Sequence, residues 1–284
     1  MGYNTHMEMK YELNKIYRDE FGRPTAILAL DKEAGISSHD LVDKVRRNLD
    51  YKKVGHAGAL DNFATGLMII LVGKATKLSD TLINKDKQYH AQILLGIATD
   101  TQDPEGVITD AKQIDSIDKD SISKLLQDEF LGNIEQHVSV YSSVKVDGAK
   151  LRILMRDERF DNEIVEDGNK KFIKMLPKEG VSAKEKMVEV PRREIEITNI
   201  ELVDAKEIET EDLPTKYLIG NKIQEGDRWA LLDIVVDCSK GTYVRQLAED
   251  IGKRLGYPAS LLNLRRTRIA NVYLDNAISL DLIS

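Results

Sequence analysis

The feature that most constrains the fold and chemistry of this chain is one acidic residue in a glycine-rich segment. An apolar run follows it directly. The segment reads GHAGALDNFATGLMIILVGKAT over residues 55–76, with Asp61 near its centre. Its glycines permit tight turns and the close approach of a bulky substrate, and the run 67–72 predicts a short buried strand that anchors the loop. This arrangement favours covalent chemistry at Asp61. The alternative is an ordinary turn, because Asp and Asn bind their own backbone in turns.

The segment resembles the catalytic motif of TruB-type tRNA pseudouridine synthases, usually GHTGTLDPxATGxL. Here Ala57 and Ala59 stand in place of two threonines and Asn62 in place of a proline, while the aspartate, histidine and glycine positions are unchanged. Upstream, LDKEAGISSHD at 30–40 resembles the family opening LDKPxGxTSHD, with Glu33 in place of proline.

Further blocks resemble the family in the same order along the chain. They are DKQY at 86–89, LG at 95–96, TDT at 99–101, QHVSVYSSVKVDG at 136–148, CSKGTYVR at 238–245 and LRR at 264–266. The block at 136–148 departs most, with Val138 and Ser139 in place of prolines, and Arg152 stands where the family usually has tyrosine. Together the blocks run from about residue 26 to residue 268, which is nearly the whole chain.

Apolar spacing predicts the main helices and strands. We expect helices after a cap at Ser37 or Ser38, at 74–84, at 121–131 and at 244–255, the last ended by Gly256. We expect strands at 89–97, 193–198 and 229–236. Because strands and helices do not alternate regularly, the sequence favours a mixed α/β or an α+β fold. The charged section 157–187 lacks a clear period, which indicates an insertion or a mobile loop.

The resemblance implies a more specific fold. It implies the α+β pseudouridine synthase fold, in which helices flank a central, mainly antiparallel mixed sheet and the active cleft crosses its middle. We expect an N-terminal extension at 1–25, a catalytic domain at 26–274 that contains the charged section, and a short tail at 275–284. The family usually continues into a small RNA-binding module, and we expect no full PUA domain here.

The resemblance also implies the chemistry. It implies that Asp61 converts the T-loop uridine of tRNA, position 55, to pseudouridine. The carboxylate attacks the anomeric carbon of the ribose or abstracts a neighbouring proton to give a glycal, and the sequence leaves both routes open. Arg245 is implied as the cation that holds Asp61, with a surface pair to Glu249 as the alternative. Tyr89 is implied to pack against the target base, with a half-buried strand aromatic as the alternative.

Four further side chains are expected to contact the substrate. A stacked base must be flipped out before this chemistry, at a cost of roughly a few kcal/mol, and His56 matches the family histidine that stacks where the base had been. Leu264 resembles the apolar floor beneath the base. Lys87 lies in the DKQY block and binds substrate or supports the loop. Tyr243 would share one face of a strand with Arg245.

Charge gives the strongest objection to an RNA substrate. The net charge of -7 argues against general affinity for nucleic acid, since neutralised phosphates normally supply most of that binding. Positive charge is nevertheless concentrated in two places. Residues 239–268 carry a net +5, and a second basic cluster precedes the Asp61 segment: Lys44, Arg46, Arg47, Lys52 and Lys53. We therefore expect these clusters to bind RNA, with solvated helix faces as the alternative.

The expected partner is the T-arm of tRNA, bound by a monomer that works without a guide-RNA particle. We expect no cofactor because the isomerisation has no net redox change, and one cysteine with unpatterned histidines argues against zinc. The single cysteine, the lack of a transmembrane-length apolar run and the polar N-terminus predict a cytoplasmic protein without a membrane partner. The alternative function is a non-catalytic tRNA-binding or tRNA-folding protein on the same scaffold. Asp61, Tyr89 and Arg245 together favour the enzyme.

Overall fold

The computed structural model describes residues 11–218 and 222–283. Residues 1–10 of the expected N-terminal extension and Ser284 of the expected tail lie outside the described residues.

The helices are α1 (Ser38–Asn48), α2 (Ser79–Ile83), α3 (Lys119–Phe130), α4 (Leu151–Met155) and α5 (Val244–Leu255). The strands are β1 (Tyr17–Arg18), β2 (Pro24–Lys32), β3 (Val54–His56), β4 (Thr65–Val72), β5 (Lys87–Leu95), β6 (Ile97–Thr99), β7 (Ile108–Ala111), β8 (Gly132–His137), β9 (Lys145–Val146), β10 (Ala149–Lys150), β11 (Phe160–Asp167), β12 (Lys170–Pro177), β13 (Lys186–Glu189), β14 (Arg192–Glu209), β15 (Arg228–Cys238), β16 (Ala259–Ile269) and β17 (Val272–Tyr273).

The chain divides into two compact units. Unit 1 comprises Met1–Ala91, Val235–Lys240 and Asn263–Ser284, and unit 2 comprises Gln92–Ile234 and Gly241–Leu262.

Strand β4 is the centre of unit 1. It pairs antiparallel with β2, from Ala26 opposite Val72 to Lys32 opposite Gly66, and β3 pairs antiparallel with its end. Strand β16 runs parallel to β4 where Arg266 lies opposite Gly66. Glycine is required there, because φ is +107° and an added Cβ would overlap the Arg266 carbonyl oxygen. Apart from Thr65, β4 is buried along its length, so the predicted strand at 67–72 is confirmed.

Helix α1 begins at a capping box in unit 1. The Ser37 hydroxyl accepts a hydrogen bond from the backbone N–H of Asp40, and the Asp40 carboxylate accepts one from the backbone N–H of Ser37. The predicted helix at 74–84 is instead a 3-10 helix over Gly73–Leu78 followed by α2. The apolar core of unit 1 consists of Ile27, Ala29, Ala57, Leu67, Ile69, Leu71, Ala75, Leu82, Ile269 and Val272.

Unit 2 contains the predicted strand at 193–198 and the predicted helices at 121–131 and 244–255. Strand β14 pairs antiparallel with β8 and contacts α3, whose bounds agree closely with the predicted 121–131. Helix α5 ends at Gly256, which has a left-handed φ of 82°, as predicted.

The charged section 157–187 forms most of a separate sheet. Strands β11, β12 and β13 pair antiparallel within unit 2, so the expectation of a mobile loop is wrong. The physical reason is that β12 turns Lys171, Ile173 and Met175 to a buried side, where the two apolar side chains join a core cluster. That this section is an insertion remains a prediction.

The predicted fold class is confirmed. The described residues form an α+β structure in which the strand pairings are mixed: β16 and β4 are parallel in unit 1, and the other pairings given above are antiparallel. No helix among the described residues combines the length and the apolar character needed to cross a membrane.

Candidate active site

Asp61 lies in unit 1, in the loop that joins β3 to β4. Its side chain is partly buried, and its carbonyl oxygen accepts a hydrogen bond from the backbone N–H of Ala64 at 3.2 Å. The two strands that flank the loop pair with each other, with His56 opposite Ile70. Both ends of the loop are therefore fixed to the central sheet of unit 1.

Two buried side chains hold the residues next to Asp61. Lys32, which is 0% exposed, donates from Nζ to the carbonyl oxygen of Asn62 at 3.1 Å. The hydroxyl of Ser38 donates to the carbonyl oxygen of Leu60 at 3.0 Å and accepts from the N–H of Leu60 at 2.8 Å. The backbone is therefore held immediately before and immediately after the carboxylate.

A third buried side chain, Arg266 on β16, holds the earlier part of the same loop. Its guanidinium donates to the carbonyl oxygens of Gly58 at 3.1 Å, Ala59 at 3.3 Å and Leu67 at 2.8 Å. The side chain is 1% exposed and also forms a hydrogen bond with Tyr89. Arg266 thus connects the Asp61 loop, strand β4 and the candidate tyrosine.

Tyr89 lies on β5 in unit 1 and is buried. Burial raises the pKa of its hydroxyl, and the nearby charge of Arg266 opposes this rise without cancelling it. The hydroxyl is therefore protonated at neutral pH. Leu264, the predicted apolar floor, is buried on β16 in the same unit.

His56 and Lys87 also belong to unit 1. His56 is partly buried at the end of β3, and burial followed by the charge of Arg266 lowers the pKa of its imidazole, which favours the neutral form. Lys87 is buried at the start of β5 and donates to the carbonyl oxygens of Ile83 and Lys85. Burial lowers the pKa of Lys87 to about 8. Its described contacts are with the turn before β5.

Arg245 and Tyr243 belong to unit 2. Arg245 is 6% exposed, so it is not the surface residue that the alternative assumed, and it donates to the carbonyl oxygen of Thr101 at 3.0 Å. It also lies 3.5 Å from the carboxylate of Asp103. The expectation that Tyr243 and Arg245 share a strand is wrong, because Tyr243 is the N-cap of α5 and Arg245 lies in its first turn. The predicted pair of Arg245 with Asp61 remains a prediction.

Sequence reasoning did not identify the three side chains that hold the Asp61 loop. Lys32, Ser38 and Arg266 each stand in a block that resembles the family, and none was predicted to hold this loop. One signal was available, because Lys32 stands two residues after the apolar Leu30 and shares its side of β2, where a buried lysine needs acceptors. The arrangement can hold a carboxylate in one position beside a protonated tyrosine, which suits nucleophilic or general-base chemistry on a bound substrate.

The chain is similar to a family of known enzymes. A family model described as TruB family pseudouridylate synthase (N terminal domain) matches residues 46–174. A Bacillus pumilus protein named tRNA pseudouridine synthase B is 36% identical over 256 residues, which cover 90% of this chain and 68% of that protein. Proteins of the same name from Oenococcus oeni and Clostridioides difficile are 34% and 33% identical, and the matches cover 90% of this chain and 72% and 69% of those proteins.

Two solved structures share the fold. The crystal structure of the archaeal box H/ACA sRNP Nop10-Cbf5 complex matches with a TM-score of 0.52 and 20% identity, covering 90% of this chain and 52% of that chain. A Cbf5-Nop10-Gar1 complex matches with a TM-score of 0.53 and 20% identity, covering 93% of this chain and 60% of that chain. This chain therefore spans between half and three-fifths of their lengths. Likeness at this identity concerns the fold alone, and it supports the predicted pseudouridine synthase fold.

Proposed function

This chain belongs to the TruB family of pseudouridylate synthases, and from this membership we infer that it is an enzyme that isomerises uridine in tRNA to pseudouridine. We further propose that the substrate is the T-loop uridine at position 55 and that Asp61 acts on it. One observation carries this proposal: buried Lys32, Ser38 and Arg266 hold the backbone on both sides of Asp61. A carboxylate fixed in this way needs little reorganisation when a flipped ribose is presented to it.

The reaction rearranges bonds without adding or removing atoms overall. The bond between N1 of uracil and C1′ of ribose breaks, and Asp61 either bonds to C1′ or takes the proton from C2′. The uracil turns and its C5 bonds to C1′, while the bond from Asp61 to C1′ breaks or, on the glycal route, the proton returns from Asp61 to C2′. The proton on C5 leaves to water, and N1 takes up a proton from water. No oxidant, reductant or co-reactant is required.

The remaining residues have supporting roles in this proposal. Tyr89 packs against the base with its hydroxyl protonated and held by Arg266. Leu264 lies beneath the base, and neutral His56 stacks into the gap that the flipped base leaves. Arg245 balances the charge of Asp61.

Lys87 and Tyr243 complete the proposed set. Lys87 keeps the turn before β5 in position through the carbonyl oxygens of Ile83 and Lys85. Tyr243 fixes the start of α5, where Gln136 bonds its backbone.

The proposed partner is the T-arm of tRNA. Within the basic cluster before the Asp61 loop, Arg47, Lys52 and Lys53 are exposed and can reach phosphates, whereas Arg46 is engaged by Asp43. We propose that the protein acts as a cytoplasmic monomer, and the bacterial relatives, which are named for tRNA, support a tRNA substrate without a guide-RNA particle.

Release of tritium from tRNA labelled at C5 of uridine tests the position. We expect the wild-type protein to release tritium from labelled tRNA, and to release none when uridine 55 is replaced by cytidine. Release that persists after the replacement would show that another uridine is the substrate. Binding of tRNA without any release would favour the non-catalytic alternative.

A minimal T-arm stem-loop tests the binding surface. We expect its kcat/KM to lie within roughly a hundredfold of that of whole tRNA at one salt concentration, near 2.7 kcal/mol of transition-state binding. A larger loss would show that contacts outside the T-arm contribute strongly.

A further inference from the structure

The sheet formed by β11, β12 and β13 places one buried lysine against helix α5. Lys171 on β12 has a side chain that is 3% exposed, although Lys170 and Glu189 nearby on the same sheet are exposed. Its Nζ lies 3.1 Å from the Glu249 carboxylate and 3.3 Å from Oε1 of Gln246. Both acceptors are on α5, so the lysine binds two successive turns of that helix.

The contact continues into a buried polar network. Gln246 accepts a second hydrogen bond, from the side-chain amide of Gln102 at 2.9 Å, and Gln102 also donates to Glu249. The hydroxyl of Ser139 donates to Gln102 at 3.1 Å. A buried network of this kind fixes the position of the elements that it joins, because each unmatched group would be costly.

Charge on Glu249 persists in this environment. Burial opposes its ionisation, but Lys171 and then Lys253 more than compensate, and the pKa of Glu249 is lowered to about 2. The carboxylate that Lys171 binds is therefore ionised at neutral pH. Removal of Lys171 leaves a largely buried negative charge with less compensation.

The same sheet also supports the start of α5. Ile173 and Met175 of β12 belong to an apolar cluster against which Tyr243, the N-cap of α5, packs. The side chain of Gln136 accepts from the Tyr243 N–H at 2.9 Å and donates to its carbonyl oxygen at 3.1 Å. Helix α5 is thus held at its first residue and one turn later.

Arg245 lies between these two points of attachment. It follows the N-cap Tyr243 by two residues and precedes Glu249 by one helical turn, with its guanidinium directed at Thr101 and Asp103. We propose that Lys171 is a positioning residue for Arg245: the β11–β13 sheet, through Lys171, sets the position of α5 from which Arg245 acts. The proposal rests on the proposed role of Arg245 in catalysis.

A substitution series on one strand tests the proposal. Lys171→Met removes the buried charge, and Lys170→Met removes the exposed neighbouring charge as the matched control. We expect Lys171→Met to lower kcat for tRNA about tenfold or more with KM within about threefold, because a displaced catalytic group loses transition-state binding only. Lys170→Met should leave both constants within about twofold, and Lys171→Arg, which keeps a cation, should recover most of kcat.

Glu249→Gln makes the same test from α5, in case Lys171→Met does not fold. The amide keeps the shape of the side chain, so we expect the same loss in kcat with a folded protein. An unchanged kcat in either folded variant overturns the proposal, as does a loss confined to KM, which would place the sheet in RNA binding. If wild type and Lys170→Met release tritium, failure of the proposal for Lys171 leaves the proposed function intact. If neither protein releases tritium, the proposal for Lys171 and the proposed function are both overturned.

Discussion

The guanidinium of Arg266 donates a hydrogen bond of 3.1 Å to the carbonyl oxygen of Gly58, across 208 residues of sequence. Gly58 has a left-handed φ of 102° and lies three residues before Asp61, so its carbonyl points where few other residues would direct it. The position of the Asp61 loop therefore depends on a side chain near the other end of the chain.

Arg266→Lys should impair both stability and catalysis. A lysine keeps the charge but cannot donate to Gly58, Ala59 and Leu67 together, and each buried carbonyl left unpaired costs about 1–3 kcal/mol. We expect the free energy of unfolding in urea to fall by at least about 2 kcal/mol, and kcat to fall about a hundredfold because the loop is less well held. Arg265→Lys, at the exposed neighbouring position, is the control and should change each quantity little. If the Arg266→Lys protein is stable and fully active, the position of the Asp61 loop does not depend on the hydrogen bonds of Arg266.

The sequence predicts the parts of this molecule that depend on local pattern. The strand after Asp61 and the end of α5 at Gly256 follow from apolar spacing and glycine, and both are present. The bonds from Lys32 to Asn62 and from Arg266 to Leu67 could not be predicted, because these acceptors are backbone carbonyls brought near by pairing of distant strands.

The β11–β13 sheet was missed for a different reason. Strand β12 buries Lys171, Ile173 and Met175 and leaves Phe172 and Leu176 partly buried on its other side. A half-buried strand is recognised by alternating apolar and polar residues. In β12 this alternation is not visible, because apolar residues lie on both sides of the strand and a lysine lies on its buried side.

Lys87 should make stability depend on pH in the alkaline range. Its pKa is lowered to about 8 in the folded protein from 10.5, so between these values the unfolded chain binds the extra proton and stability rises with pH. We expect the free energy of unfolding of wild type, minus that of Lys87→Met, to increase by about 3 kcal/mol at most between pH 8 and 10.5. Lys77→Met, at an exposed position, should show no such change. A difference that is flat with pH would mean that Lys87 keeps its ordinary pKa.

Arg245→Ala should reduce activity and stability together. The substitution removes the cation beside the buried carboxylate of Asp103, and removal of one partner from a buried ion pair costs roughly 3–5 kcal/mol. Arg254→Ala, on the exposed side of the same helix, is the control for loss of an arginine. Thermal denaturation and tritium release measure the two effects. If the Arg245→Ala protein is as stable and as active as wild type, Arg245 has neither role.

Asp61→Asn tests the central claim most directly. The amide keeps the shape of the side chain and removes both the nucleophile and the base, so the variant should bind tRNA within about tenfold of wild type and form no pseudouridine. Asp80→Asn, at an exposed carboxylate of unit 1, should retain full activity. The measurement is tritium release from tRNA labelled at C5 of uridine, with enzyme in excess over tRNA so that a single slow turnover is detected. No release by Asp61→Asn, with normal release by Asp80→Asn, is the predicted result, and measurable turnover by Asp61→Asn would contradict the account.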